Sequence, residues 1–309
     1  MKTDTRTFYE AAVERAALRI ACGLDEALDL EALAKEAALS PFHFHRVFRG
    51  MLGETPLEMH RRLRLERAAH RLLRSDASVT TIAFDAGYET HEAFTRTFRR
   101  AYGASPTGFR QTGGTGEGAP ACVGPSPFEL PALSGIHFST SISNLTIRFV
   151  QGGTLMNVTV ENMPELRVAT VPHVGPYPRI SEAFAKLGAL AGPGGLLAYP
   201  EVAMIAIYYD DPESTPVDQL SSDAGLTVAE GTTLPVGLAE KRLPKGRYAR
   251  TTHLGSYATL ADTWARFMGE WLPKSGHRVG QGSPYEVYRN NPTNAEPQDL
   301  RTDLYLPIA

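Results

Sequence analysis

Two groups of residues in this 309-residue sequence have types and spacings that suit recognition chemistry. The first is built around Glu286. It stands in the strand-like run Tyr285-Glu286-Val287-Tyr288, where alternation puts Glu286 and Tyr288 on one face and Tyr285 and Val287 on the other. If the Glu286 face lines a cleft, Tyr177, Tyr208, Tyr257, Tyr288 and Trp264 or Trp271 are the aromatic walls available to it. A carboxylate among aromatic rings suits a lipophilic cation, through charge pairing and cation–π attraction of about 0.5–2 kcal/mol per contact. Spacing alone fits an exposed strand glutamate equally well.

The second group is a set of arginines on short helices. Phe44-His45-Arg46-Val47-Phe48-Arg49 returns 50 residues later as Phe94-Thr95-Arg96-Thr97-Phe98-Arg99. Each follows a short helix with matching small and apolar positions: Leu33, Ala34 and Ala37, then Ile82, Ala83 and Ala86. This is one helix–turn–helix unit used twice. Phe44, Val47, Phe48 and Met51 form an inward stripe, leaving Phe42, His43, His45, Arg46 and Arg49 off it. In the second unit Phe94, Phe98 and Ala101 face inward, and His91, Glu92, Thr95, Arg96 and Arg99 remain outside. An arginine held in a major groove can fork onto guanine O6 and N7, worth about 1–3 kcal/mol of discrimination. One such arginine alone reads as a solvated face; the repeated FxRxFR reads as DNA recognition.

The whole-chain net charge of −3 conceals this asymmetry. Residues 1–115 carry +2 and residues 116–309 carry −5, while Phe42–Arg110 holds 12 basic residues, all arginine, against 7 acidic ones. A net +5 predicts moderate, salt-dependent DNA binding in which a few base contacts carry the specificity. Hydrophobic residues at 42% and charged residues at 21% are ordinary for a globular chain. Cys22 and Cys122 offer neither a disulfide framework nor a paired-cysteine metal site. No signal-peptide core and no membrane-length apolar run is present, so the expected setting is the cytoplasm, with no membrane partner.

A second repeat runs through the C-terminal half at an offset of 80. His173-Val174-Gly175-Pro176-Tyr177 matches His253-Leu254-Gly255-Ser256-Tyr257; Phe184 matches Trp264, Tyr208 matches Tyr288, and Pro212 matches Pro292. Duplicated strand–helix–strand units in one sheet would be related by a pseudo-two-fold axis, and equivalent sites would converge near its middle. Ala206 stands in the first copy where Glu286 stands in the second, so the fold itself does not require a carboxylate there. Glu286 with Tyr257 could serve as a base and its partner, but no nucleophile–base–orienter set accompanies them. His173 and His253 occupy equivalent repeat positions, which favours structural hydrogen bonding. No metal-ligand spacing occurs, and Gly192–Gly195 is too short and proline-broken for a phosphate loop. The expectation is a protein with no catalytic residues, metal or cofactor.

These residues must be held by two kinds of element. Helical spacing predicts helices at Phe8–Ala21, Leu30–Ala37, Pro41–Met51, Pro56–Leu73, Val79–Ala86 and His91–Tyr102, with a tight turn at Gly87. Residues 111–131 are rich in glycine and proline and read as a linker, and 133–153 as irregular or short strands. From Leu155 period-two runs predict strands (MNVTVE, LRVATVPH, VAMIAIYY, YARTTHL, YEVYR, DLYLPI), interrupted by helices at Ile180–Ala191 and Tyr257–Trp271. The predicted organisation is multidomain: an all-α tandem helix–turn–helix domain over 1–110, a linker and irregular segment over 111–153, and an α+β domain of two duplicated units over 154–309.

Residues from about 8 to 110 resemble the DNA-binding domain of the AraC/XylS family of transcription regulators. The resemblance is carried by LEALAKEAALSPFHFHRVFR, PLEMHRRLRLERAAHRLL and IAFDAGYETHEAFTRTFRRAYGASPTGFR. It implies two recognition helices entering successive major grooves, with Phe42, His45 and Arg46 approaching DNA from the first and His91, Glu92, Thr95 and Arg96 from the second. Glu92 would accept from cytosine N4 or repel phosphate, and both readings stand. Arg61 and Arg62 on the joining helix are phosphate candidates. Residues from about 155 to 309 resemble the GyrI-like effector-binding domain, through LRVATVPHVGPY, AIYYDDP, YARTTHLGSYATLADTW, YEVYRNNP and TDLYLPI. That resemblance implies Glu286 as the ligand contact and cationic amphipaths as ligands. The expected partners are promoter DNA and a small effector, with RNA polymerase as a further candidate. The competing readings are a C-terminal domain that docks a protein, or one that retains a hydrolase activity.

Overall fold

The computed structural model describes residues 2–114, 156–198, 202–210 and 215–309. The predicted linker beyond Gly114, the 133–153 stretch, Cys122 and Pro212 lie outside the described residues. Packing divides the chain into two units: one contains Glu10–Ala38 and the helical residues from Val47 onward, the other contains 152–309 with Met1–Tyr9 and Leu39–Arg46.

The N-terminal third is helical: α1 (Lys2–Cys22), α2 (Leu30–Glu36), α3 (Pro41–Leu52), α4 (Pro56–Arg74), α5 (Val79–Asp85), α6 (His91–Tyr102) and α7 (Pro106–Gln111). Local sequence sets most of the starts. Asp29, Thr55, Ser78, Thr90 and Ser105 each accept a hydrogen bond from the backbone N–H three residues on, and Thr55 with Glu58 forms a reciprocal capping box. Helix α7 is absent from the sequence expectation, although Ser105-Pro106 is the same start signal as Ser40-Pro41. The second helix–turn–helix unit closes over Leu65, Leu72, Ile82, Phe94, Phe98, Tyr102 and Phe109. Arg110 donates to the carbonyls of Leu72 (2.8 Å) and Ala77 (2.7 Å), which satisfies acceptors just where α4 ends.

The turns inside the two helix–turn–helix units solve one backbone problem with different residues. Gly87 takes φ +82°, as expected from a glycine at a tight turn, and a Cβ there would meet Arg64 Nη1 at 2.5 Å. Its counterpart Ala38 takes φ +55° while carrying a Cβ, a conformation that costs an L-residue about 1–2 kcal/mol. Ala38→Gly is therefore expected to stabilise the protein by roughly 0.5–1 kcal/mol, and Gly87→Ala to destabilise it by more than that. Urea denaturation of both variants checks the opposite signs.

The C-terminal half forms one eight-stranded antiparallel sheet from β1 (Thr159–Met163), β2 (Leu166–Val174), β3 (Met204–Tyr208), β4 (Ser221–Thr227), β5 (Ala239–Leu243), β6 (Gly246–Leu254), β7 (Tyr285–Tyr288) and β8 (Arg301–Pro307), in the order β1-β6-β8-β7-β3-β4-β2-β5. Helix α8 (Ile180–Ala191) follows β2, and helix α9 (Leu260–Arg266) follows β6. The bounds of β1, β2 and β4 recur 80 residues on as β5, β6 and β8. Each duplicated unit is thus larger than strand–helix–strand: it opens with an extra strand, and that strand pairs in the other copy, β1 on β6 and β5 on β2. Gly175 and Gly255, equivalent in the repeat, share φ +122°. Helix α9 continues through a π-helical turn, Phe267–Trp271, so the predicted single helix over Tyr257–Trp271 has three geometries, beginning with a 3₁₀ turn at Tyr257–Thr259.

The fold places the repeat axis at the β3–β7 pair. There Ala206 pairs with Glu286, Met204 with Tyr288 and Ile205 with Val287. Residues related by the offset of 80 therefore lie directly opposite each other at Ala206 and Glu286, and the pseudo-two-fold passes between them.

Candidate functional site

Glu286 is 3% exposed, buried against the helix-bearing face of the sheet. The reading of an exposed strand glutamate does not hold. Trp264 Nε1 donates to Glu286 Oε1 at 2.7 Å, and the Tyr288 hydroxyl donates to Oε2 at 2.8 Å. The Tyr288 hydroxyl lies 3.1 Å from that of Tyr208, its partner in the repeat. Rings continue outward: Tyr177 lies edge-on to Tyr208 at 4.7 Å, and Tyr257 and Phe184 edge-on to Tyr288 at 5.4 and 5.5 Å. The outer hydroxyls are tied to backbone, Tyr177 to the Asp210 carbonyl at 2.6 Å and Tyr257 to that of Asn290 at 3.4 Å.

Burial raises the Glu286 carboxyl above its usual range, against the downward pull of the bonds from Trp264 and Tyr288. Burial, then the neighbouring Glu286 carboxylate, holds the Tyr208 and Tyr288 phenols well above theirs, so both stay neutral donors. The result is one carboxyl group in an apolar, ring-lined setting, supported by two donors, with the Arg46 guanidinium, 4.9 Å over the Trp264 ring, as a nearby positive charge.

Of the predicted ligand residues, Glu286, Tyr177, Tyr208, Tyr257, Trp264 and Tyr288 come together. Trp271 does not join them; it packs on Phe267 at 5.4 Å and stacks on His277 at 6.3 Å. The π-helical turn ahead of it breaks the helical register from which its facing was read. Phe184 is the site residue left out of the expectation, and its signal was available, because it is the repeat partner of Trp264. His173 and His253 each meet the carbonyl three residues on, Pro176 at 3.2 Å and Ser256 at 3.1 Å. Among the described residues no group of three or more His, Cys, Asp or Glu could hold a metal, and no helix is long and apolar enough to cross a membrane.

In the second helix–turn–helix unit Glu92 and Arg96 are exposed, with Arg99 and Arg100 beside them, while His91 and Thr95 are half-buried. Glu92 also sits in the first turn of α6, where a negative charge complements the helix dipole. The first unit differs from expectation. Phe42 and His45 are each only 5% exposed, and Arg46 is half-buried with its guanidinium 4.3 Å over the Phe42 ring. Helical spacing names the inward stripe, but it does not report that Phe42 and His45, off that stripe, are buried as well.

Arg61 is exposed on α4, as a phosphate contact requires. Arg62 is not available for that role. Its Nε and Nη2 donate to Glu54 at 2.9 and 2.7 Å and its Nη1 to Glu66 at 2.7 Å, with Glu66 only 1% exposed. Adjacent numbers on a helix are about 100° apart, so Arg61 and Arg62 point to different surroundings. Arg67 and Arg71 are likewise spent on Asp25 and Asp85.

Two protein families match the chain. The family described as a GyrI-like small molecule binding domain matches residues 156–309, and a helix–turn–helix domain family matches residues 33–112. A DNA gyrase inhibitor of Yersinia enterocolitica is 31% identical over 154 residues, covering 48% of this chain and 90% of that protein. The HTH-type transcriptional regulator YbfP of Bacillus subtilis is 36% identical over 103 residues, 33% of this chain and 35% of that protein. The HTH-type transcriptional activator RhaS of Escherichia fergusonii is 44% identical over 86 residues, 28% of this chain and 31% of that protein. The chain thus spans most of the first relative and about a third of each of the other two.

Proposed function

This chain belongs to the GyrI-like family and joins that domain to an AraC-type helix–turn–helix domain, and on that premise we propose that it is a ligand-responsive transcription regulator working in the cytoplasm. The observation that carries the ligand half is Glu286, a buried carboxylate on the repeat axis where the other copy has alanine. A lipophilic cation pairs with this carboxylate, and Tyr208, Tyr288, Tyr177 and Tyr257 offer ring faces to its apolar parts. The DNA half rests on the exposed side chains of α6. Arg96 reads a base edge, Arg61 holds phosphate, and Glu92 selects against or toward its neighbours by charge. The reading is of a binding protein: His173 and His253 meet backbone carbonyls, and among the described residues the groups bonded to Glu286 are the Trp264 indole and the Tyr288 phenol.

The test is the coupling between the two sites. An operator selected from random duplex DNA is titrated by fluorescence anisotropy with and without tetraphenylphosphonium. The expected result is a change in DNA affinity of about 5-fold or more, with the same factor in the cation's affinity when DNA is saturating. Tight binding of both ligands with no mutual effect overturns the reading.

A further inference from the structure

The sheet face turned away from Glu286 contains a second hollow. It has a volume of about 510 Å³, and its lining includes Leu166, Ile205 and Val228 together with Tyr285, Tyr305 and Arg289. That volume lies within the range of small-molecule sites. We propose that this hollow is a second ligand site, for an apolar anion whose carboxylate or sulfonate meets Arg289 and Tyr285, and that it is independent of the cation site on the opposite face.

The repeat supplies the first argument, as it does for Glu286. Tyr285 stands where the first copy has Ile205, Arg289 where it has Tyr209, and Tyr305 where it has Gly225. The fold is satisfied by isoleucine, tyrosine and glycine at those places. Tyr285 and Tyr305 are aromatic additions made by one copy only, and Arg289 puts a positive charge where the first copy has the Tyr209 hydroxyl on Asp223.

The second argument is an unmet hydrogen bond. Tyr285 is 1% exposed, and its hydroxyl has no hydrogen-bond partner among the described residues. Its neighbours on this face are provided for: the Tyr248 hydroxyl donates to the Pro244 carbonyl at 2.9 Å, and the Tyr305 hydroxyl accepts from Arg289 Nη2 at 3.3 Å. Tyr285 stacks on Tyr305 with ring centroids 4.7 Å apart and planes 8° apart, which holds its phenol beside that contact. Burial raises the Tyr285 phenol, so it is a donor awaiting an acceptor. A buried polar group left this way is costly, and a ligand oxygen relieves that cost.

Charge sets the sign of the ligand. Arg289 keeps 46% of its side chain exposed and gives Nε to Asp303 at 2.7 Å. With the Nη2 bond to Tyr305, two of the five guanidinium donors are in use. Asp303 is also answered by the Thr252 hydroxyl at 2.6 Å and by Arg250 at 3.5 Å, so it does not need the whole of Arg289. An anion can share the Arg289 guanidinium, the one charged side chain among the hollow's lining residues.

The probe is 8-anilinonaphthalene-1-sulfonate, titrated into the full chain by fluorescence. Tyr285→Phe removes only the hydroxyl and is expected to weaken binding about 10-fold, while Ala203→Leu, which fills the wall, is expected to abolish it. Glu286→Gln and excess tetraphenylphosphonium are expected to leave the affinity unchanged. Binding that survives both Tyr285→Phe and Ala203→Leu overturns the proposal. So does displacement by tetraphenylphosphonium or a loss with Glu286→Gln, either of which places the probe on the other face. Should Tyr285→Phe fail to fold, the Ala203→Leu titration decides between these outcomes.

Discussion

Glu286→Gln is expected to weaken tetraphenylphosphonium binding by about 100-fold, roughly 2.7 kcal/mol, while making the ligand-free protein more stable at neutral pH. Both effects come from one fact. A carboxylate that burial pushes above its usual range is strained toward neutrality in the folded state. In the unfolded chain it titrates near 4.5. Below that pH the group is protonated in both states and costs nothing. As pH rises from there through the elevated folded value, the unfolded chain ionises first and stability is progressively lost. Thermal melts should therefore show Glu286→Gln above wild type at pH 7 and level with it near pH 4. The same linkage makes cation affinity rise with pH through the elevated range, because the ligand selects the ionised carboxylate. Calorimetry in two buffers of different ionisation enthalpy should detect proton release on binding. A variant that loses stability at pH 7, or binds the cation as tightly as wild type, would sink the assignment.

The singular position of Glu286 was legible in the sequence because the repeat supplies its own control. Ala206 and Glu286 occupy one position in two copies, so the alanine shows what the fold tolerates and the glutamate what has been added. The register pairing of those two residues turns the inference into geometry. What escaped the sequence is equally physical. Strand β4 is buried on both faces and built of small residues, Ser221 to Thr227, so it shows no alternation. Strand β5, Ala239–Leu243, is a charged edge strand, a composition that blunts pairing with other chains and hides the strand from a hydrophobicity reading. The crossing of β1 and β5 into opposite copies is a long-range pairing with no local trace. Likewise, helical spacing placed Phe42 and His45 off the inward stripe, but their burial is a tertiary property that spacing does not carry.

Arg62→Ala is expected to destabilise the helical region by about 3–5 kcal/mol and to leave the salt dependence of DNA binding unchanged in whatever protein remains folded. Arg62 is the hub of an ion cluster. Glu54, in the turn after α3, takes its Nε and Nη2, and Glu66, one turn further along α4, takes its Nη1. The side chains are 10% exposed for Arg62, 11% for Glu54 and 1% for Glu66. Removing the guanidinium takes away the counter-charge that two largely buried carboxylates share, which is the costly way to break such a group. Replacing all three residues with apolar ones of similar size would be far milder, since the desolvation cost goes with the charges. Arg61→Ala, on the exposed side of the same helix, gives the contrasting pattern. It should leave the denaturation midpoint in place and reduce the slope of log affinity against log salt by about 0.9, the signature of one lost phosphate contact. Arg96→Ala should instead relax discrimination at a single base pair by about 1–3 kcal/mol with little change in that slope. Denaturation and salt titration of the three variants therefore separate an arginine that holds the fold from one that holds phosphate and one that reads sequence. An unchanged midpoint for Arg62→Ala would mean that the Glu54–Arg62–Glu66 cluster is solvated in solution and that Arg62 is free to join Arg61 on the DNA backbone.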